Sequence, residues 1–172
     1  PGVSGVAVIR ISGSEALNVI KSLTGKEIPT PRMATLRKIN NINTSELIDE
    51  GIIIWFPGPE SYTGEDMAEI HVHGGKAVVL ALQKEIAKMK NCRLAEPGEF
   101  TKLAFQNGKI NLLKAESIGD LISAETEIQR KQALKIMRGK SSEKFNQLRE
   151  KLLKLLSFVE AEIDLSLIHI SE

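Results

Sequence analysis

The stretch SYTGEDMAEIHVHGGK, residues 61–76, decides the fold because it predicts a strand, a turn and the start of a helix. Apolar and polar side chains alternate over residues 65–72, which is typical of a strand with one face on a core. That face is predicted to carry Ala68, Ile70 and Val72. The glycines at 74–75 then predict a turn into an amphipathic helix over residues 76–90.

The opposite side of this strand carries Glu69, His71 and His73 at i, i+2 and i+4. A carboxylate and two neutral imidazoles suit zinc, and three protein ligands would leave an open coordination position. Polar side chains that only face water give the same spacing. The pattern therefore leaves three hypotheses open: a zinc site, solvent-facing side chains, and a role of Glu69 in binding an organic ligand.

The rest of the N-terminal part alternates strands, turns and helices. Apolar, β-branched runs predict strands over residues 5–11, 33–39 and 52–56, with a turn over 40–45. Ser12 and Glu15 form an S-x-x-E pattern, which predicts a capping box at the start of a helix. That helix is predicted to run through Thr24 and to end at Gly25.

The sequence changes character after Pro97, where no β-rich segment remains. Asn111 predicts an N-cap for a helix over residues 112–124, and one long helix is predicted over residues 125–163. We therefore predict an α+β fold in which a small mixed-sheet domain precedes part of an all-helical domain.

The predicted domains are residues 1–110 and 111–164, followed by residues 165–172, a tail that is not expected to be native sequence. The start at Pro1, without a methionine, predicts that the chain is a fragment.

Composition narrows the class of protein. The 172 residues carry 23 basic and 22 acidic side chains, so no overall positive field predicts nucleic-acid binding, and any RNA contact would be local or shared with a partner. The single cysteine, Cys92, excludes an intrachain disulfide and fits a reducing cytoplasm. Neither a targeting segment nor a membrane span is predicted, so we expect a cytoplasmic protein without membrane contact.

Two basic residues invite separate hypotheses. Arg10 shares a strand face with Val6 and Val8, and the opposite face is also apolar, so both faces of this strand are predicted to be buried. A guanidinium there needs either a structural carboxylate or an anionic ligand as its partner. Lys109, in a turn before a helix, is by the same reasoning a solvated lysine.

Several blocks of the sequence together resemble one family. The blocks are PGVSGVAVIRISG (1–13), Pro31-Arg32, DEGIIIWFPGPESYTGEDMAEIHVHGG (49–75) and AEPGEFTKLAFQNGKINLLKAESIGDLISAET (95–126). They are similar to the N-terminal region of the tRNA-modification GTPase family called MnmE or TrmE. The similarity extends to about Asp164.

The resemblance implies a tetrahydrofolate-binding and homodimerising domain, followed by the start of a helical domain. It implies that the full-length protein carries a separate GTPase domain, which uses GTP, potassium and magnesium and has no counterpart in this chain. With an FAD-dependent partner of the MnmG or GidA type, the family installs a carboxymethylaminomethyl-type group on carbon 5 of the wobble uridine of tRNA. This chain is expected to supply cofactor binding rather than GTP hydrolysis.

The resemblance also implies the cofactor contacts, which would hold 5-formyltetrahydrofolate or a related tetrahydrofolate. They are Arg10 in VIRISG, Glu69 in GEDMAEI and Lys109 in NGK. Two other functions stay open at this point. A free-standing folate-dependent aminomethyltransferase would use Asp66 as its acid or base, and a zinc-dependent enzyme would use Glu69, His71 and His73.

Overall fold

The computed structural model describes residues 4–168, together with their side chains except those of residues 140–142 and 164–168. The chain divides between Ile110 and Asn111 into two compact units. The first unit contains β1 (Ser4–Ser12), α1 (Ala16–Thr24), β2 (Thr35–Asn40), β3 (Leu47–Phe56), β4 (Met67–Gly74), α2 (Lys76–Ala87) and α3 (Glu99–Gln106). The second unit contains α4 (Leu112–Ser123), α5 (Glu127–Met137) and α6 (Lys140–Ile168).

The four strands form one sheet in the order β1-β4-β3-β2, and every pair of neighbours is antiparallel. The predicted α+β class is confirmed, but the sheet is antiparallel throughout these described strands rather than mixed. The reason lies in the connections. The segment containing α1 carries the chain from one edge strand to the other, so it joins no adjacent parallel pair, and a short turn joins β2 to β3.

One face of the sheet packs on α1 and α2 and forms the core of the unit. Ala68, Ile70 and Val72 of β4 are at most 3% exposed, so the prediction for this strand is confirmed. The largest buried side chains around them include Ile20 and Leu23 of α1, Ile39 of β2, Ile53 of β3 and Leu82 of α2. Removing such aliphatic side chains from water stabilises the fold by about 1.5–3 kcal/mol each.

The other face of the sheet, which we call the open face, carries Val8, Arg10, Leu36, Ile52, Glu69 and His71 in matching register. Val6 and Val8 are 62% and 51% exposed, so the prediction that both faces of β1 are buried is wrong within this chain. The reason is that α1 and α2 pack on the side of β1 that carries Ala7 and Ile9. The open face retains apolar side chains in contact with solvent.

The start of α1 differs from its prediction, whereas the end agrees. The N-cap residue is Glu15, and its side chain makes no capping bond. The hydroxyl of Ser12 lies instead 2.6 Å from Thr63 Oγ1 and donates to Glu65 Oε2 at 3.0 Å, so the predicted capping box is wrong. Gly25 closes the helix in the left-handed conformation, with φ of 60°, as predicted.

The second unit begins as predicted, since the Asn111 side chain accepts a hydrogen bond from the Lys114 amide at 2.9 Å and caps α4. The single long helix predicted over residues 125–163 is wrong. Gly139, with φ of +84°, separates α5 from α6, although apolar spacing continues on both sides of it.

The helical backbone of α6 continues through Ile168, and residues 169–172 of the predicted tail lie outside the described part of the chain. Among the described residues, no helix is long and apolar enough to cross a membrane.

Candidate functional site

Arg10 and Glu69 form an ion pair on the open face. They are direct cross-strand neighbours of β1 and β4, and Arg10 Nε and Nη2 donate to Glu69 Oε1 at 2.9 and 2.7 Å. The side chain of Arg10 is 43% exposed and that of Glu69 is 16% exposed. The structure thus places two of the three predicted cofactor contacts together, and it supplies the carboxylate partner that Arg10 was expected to need.

Two aromatic rings lie over the guanidinium of Arg10. Its Cζ atom is 5.7 Å from the centroid of the Tyr62 ring and 5.9 Å from that of the Phe100 ring. The Tyr62 hydroxyl lies 3.0 Å from Thr101 Oγ1, which ties the loop before β4 to α3. Rings at this distance attract a cation through their π faces. The guanidinium is therefore held by a carboxylate and by the π surface of two aromatic rings.

Sequence reasoning missed Tyr62 and Phe100. Aromatic residues make up only 4% of the chain, and their concentration in the motif blocks 49–75 and 95–126 was the available signal. The spacing of 38 positions between them carries no periodicity, because they meet only through the fold.

The loop that carries Tyr62 is fixed by hydrogen bonds along its length. Thr63 is fully buried, and its carbonyl accepts a hydrogen bond from Asn107 Nδ2 at 2.7 Å. Asp66 Oδ1 accepts a hydrogen bond from the Gly58 amide at 2.8 Å. Asp66 was the candidate acid or base of a free-standing aminomethyltransferase, and here its carboxylate holds the loop.

Lys109 lies against the same loop. Gly64 has φ of +83°, a conformation that favours glycine, and a Cβ placed on it would lie 3.3 Å from Lys109 Cγ. The Lys109 amide donates to the Ala104 carbonyl at 2.8 Å, which fixes its backbone at the end of α3. The structure therefore places Lys109 beside the loop that carries Tyr62, while Arg10 and Glu69 contact each other directly.

The two histidines of β4 have different partners. His71 is 29% exposed, and its Nε2 lies 3.3 Å from Glu69 Oε2. His73 is 74% exposed, and its backbone amide and Nδ1 both lie 2.8 Å from oxygens of Asp49. Burial raises the pKa of Asp49, but the hydrogen bonds from His73 outweigh burial and leave that pKa below its ordinary value.

The zinc arrangement that the spacing left open as a hypothesis is not present among residues 4–168. His73 bonds Asp49 instead of converging with Glu69 and His71. Within residues 4–168, no group of three or more His, Cys, Asp or Glu side chains is arranged to hold a metal ion.

Helix α3, which supplies Phe100 and Thr101, is anchored by a second ion pair. Arg93 Nη1 donates to Glu99 Oε2 at 2.9 Å, and Arg93 Nη2 also bonds Oε1 of the same carboxylate. The amide of Glu96 donates to Glu99 Oε2 at 2.8 Å. The side-chain bonds from Arg93, followed by the Glu96 amide, lower the pKa of Glu99 to about 2.

Comparison with known families matches nearly the whole chain. The family model described as "GTP-binding protein TrmE N-terminus" matches residues 1–109, and the model described as "MnmE helical domain" matches residues 112–170.

Individual relatives agree with these matches. A tRNA modification GTPase MnmE from Pelagibacter ubique is 75% identical over 164 residues, which are 95% of this chain and 37% of the relative. A protein of the same name from Brucella anthropi is 49% identical, over 94% of this chain and 36% of the relative. A mitochondrial 5-taurinomethyluridine-tRNA synthase subunit from Danio rerio is 45% identical, over 96% of this chain and 33% of the relative. The chain thus spans about a third of the length of these curated relatives.

Proposed function

The chain belongs to the TrmE/MnmE family, and on this premise we propose that its N-terminal unit binds a tetrahydrofolate and pairs with a second copy of the chain. The bound folate would carry the one-carbon unit used in modifying tRNA. In this proposal the N-terminal unit binds the cofactor and the rest of the full-length protein performs the reaction.

The observation that carries the proposal is the Arg10–Glu69 pair beneath the rings of Tyr62 and Phe100. A pterin is flat and presents adjacent N–H donors on its 2-amino edge, which a carboxylate such as Glu69 can accept as a bidentate pair. Aromatic faces suit the flat ring. Arg10 and Lys109 are suited to the carbonyl, formyl and carboxylate oxygens of the same ligand. A few polar groups on an apolar surface are typical of a cofactor site.

The apolar part of the open face supports pairing with a second copy. Leu36, Ile52 and Val8 are 63%, 41% and 51% exposed, and the register places them in one row across the sheet with His71. Exposed apolar patches of this kind mark interaction surfaces. A two-fold symmetric homodimer would bring the same row of each copy together, next to the Arg10–Glu69 pair.

The remaining activities are assigned to the rest of a full-length protein. The relatives named tRNA modification GTPase are more than twice as long as this chain, which leaves room for a domain that uses GTP, potassium and magnesium. We propose that the complete protein, with an FAD-dependent MnmG-type partner, adds a carboxymethylaminomethyl-type group to carbon 5 of the wobble uridine of tRNA. We place this activity in the cytoplasm, a reducing compartment that suits the single Cys92.

Calorimetric titration with 5-formyltetrahydrofolate tests the cofactor proposal. Arg10→Ala and Glu69→Ala each remove a charged hydrogen bond, so we expect the binding free energy to weaken by about 1.5–3 kcal/mol. Arg130→Ala is the matched control, because Arg130 Nε and Nη2 donate to Glu127 at 2.7 and 2.8 Å in a comparable pair on α5. The control is expected to bind like the parent. A parent chain that does not bind, or Arg10 and Glu69 variants that bind normally, would refute the proposal.

A further inference from the structure

His71 contacts the ion pair at the centre of the proposed site, yet the proposed function gives it no role. Its Nε2 lies 3.3 Å from Glu69 Oε2, and the side chain is 29% exposed. The register places it between Val8 of β1 and Ile52 of β3, two apolar neighbours. The polar group that this ring contacts on the open face is therefore the carboxylate that Arg10 also binds.

Most of the hydrogen-bond acceptor positions of the Glu69 carboxylate are occupied. Oε1 accepts two N–H groups from Arg10, at 2.9 and 2.7 Å, and Oε2 lies against His71. A carboxylate offers roughly four acceptor positions, so about one remains. A ligand that presents two adjacent N–H donors needs two positions. Glu69 can therefore hold such an edge only when Arg10 gives up at least one of its bonds.

The charge on His71 determines how tightly Arg10 is held. With a neutral ring, the charges of Arg10 and Glu69 cancel and the guanidinium stays on Oε1. With a protonated ring, the three side chains carry a net positive charge, and His71 and Arg10 compete for one carboxylate. Protonation thus weakens the hold of Glu69 on Arg10 and makes the site attractive to an anion.

We propose that His71 is a positioning residue whose protonation releases Arg10 from Glu69 to an anionic group of the ligand. This inference rests on the proposed function, because the ligand is taken to be a folate with carboxylate groups. Histidine is the side chain whose unperturbed titration falls between about pH 5 and 8, which is the pH range in which the inference is tested.

Other charged groups lie on the strands of the same sheet as His71. They include Arg10 on β1, Glu69 and His73 on β4, Asp49 and Glu50 on β3, and Lys38 on β2. His73 is bound to Asp49, and Lys38 lies opposite Glu50 in the register. A pH effect on the Arg10–Glu69 pair is therefore assigned to His71 and not to His73.

The sign of the effect follows from linkage. An anionic ligand binds the protonated site more tightly, so it raises the affinity of His71 for a proton, and ligand binding strengthens as pH falls. We expect the affinity to be about three- to tenfold higher at about pH 6 than at about pH 8.

The experiment is titration of the whole 172-residue chain with 5-formyltetrahydrofolate at about pH 6, 7 and 8. His71→Gln keeps an N–H donor for Glu69 but cannot become charged, so its affinity is expected to stay within about twofold across this range. His73→Gln is the matched control on the same strand and is expected to keep the pH dependence of the parent. If His71→Gln retains the full pH dependence, or if the parent binds equally well at every pH, the inference is overturned while the proposed function stands.

A second measurement needs no ligand. Ring-proton NMR of the free chain follows the titration of each histidine, and Glu69→Gln removes the negative charge beside His71. Because a neighbouring negative charge favours the protonated ring, we expect this substitution to move the titration of His71 to lower pH and to leave that of His73 in place. An unchanged His71 midpoint would overturn the inference. If the parent binds no folate at any pH, the proposed function fails, and this measurement alone decides whether His71 is coupled to Glu69.

Discussion

The two faces of the four-stranded sheet are built from the same alternation of residues but have opposite environments. Ile53 and Ile70 point to the helix-covered face and are fully buried. Ile52, next to Ile53 in β3, points to the open face and is 41% exposed. The ion pair of Arg10 and Glu69 also lies on the open face, among exposed aliphatic side chains.

The difference teaches that the two faces serve different purposes. Burial of aliphatic side chains on the helix-covered face stabilises the unit, and no ligand is needed to explain it. Apolar residues left in water on the open face contribute little to the stability of one chain. Their position beside an ion pair and two aromatic rings is the basis for our proposal that this face binds the ligand.

Adjacent isoleucines give the strongest test of this contrast. Ile53→Ala removes a fully buried side chain and is expected to destabilise the chain by about 2–5 kcal/mol. Ile52→Ala makes the same chemical change at an exposed position and is expected to cost under about 0.5 kcal/mol in the monomer. Urea unfolding at low protein concentration measures both. Equal losses would show that the open face is covered within the chain.

Removing one of the aromatic rings near Arg10 is expected to have a smaller effect than Ile53→Ala, and the effect is expected on ligand binding rather than on folding. Phe100→Leu removes one of the rings over the guanidinium, an attraction of about 0.5–1 kcal/mol at an exposed site. The affinity for 5-formyltetrahydrofolate is therefore expected to fall about two- to fivefold. Phe105→Leu, at an exposed position of the same helix, is the control. Equal affinities for the two variants would remove Phe100 from the site.

Acid is expected to loosen α3, which borders the open face. The pKa of Glu99 is about 2 in the folded chain against 4.5 ordinarily, so its pairing with Arg93 stabilises the chain above about pH 4.5. This contribution is lost as pH falls from about 4.5 towards 2. We expect Glu99→Gln to lower the Tm at about pH 6 and to have a much smaller effect near pH 2.

Glu46→Gln, at an exposed turn residue, is the control for removing one acidic group. If the difference in Tm between Glu99→Gln and the parent is the same at both pH values, the lowered pKa does not stabilise α3.

Local patterns predicted much of the N-terminal unit. The alternation over residues 65–72 identified the core face of β4, and Gly25 and Asn111 acted as helix-end signals whose chemistry is contained in one or two residues. The failures needed information from distant residues. Ser12 is a good N-cap residue, but Thr63 and Glu65 bind its hydroxyl through the fold. The helix break at Gly139 was not predicted, because the apolar spacing continues on both sides of it.

The candidate site, like the fold, could be predicted from the sequence only in part. The motif blocks pointed to Arg10, Glu69 and Lys109, and the structure adds that the first two are cross-strand partners. The exposure of Val8 could not be predicted, because an apolar strand face looks the same whether a helix or a second chain covers it. Tyr62 and Phe100 meet Arg10 from two distant segments, so spacing along the chain could not show their association.

Methyl-resolved NMR of the chain with added 5-formyltetrahydrofolate tests the central claim most directly, because isoleucine and valine methyl groups lie on both faces of the sheet. We expect the signals of Val8 and Ile52, beside Arg10 and Glu69 on the open face, to shift as the ligand is added. The signals of the buried Ile53 and Ile70 are expected to change little. Shifts confined to the buried methyl groups or to the helical unit would contradict the assignment of binding to the open face.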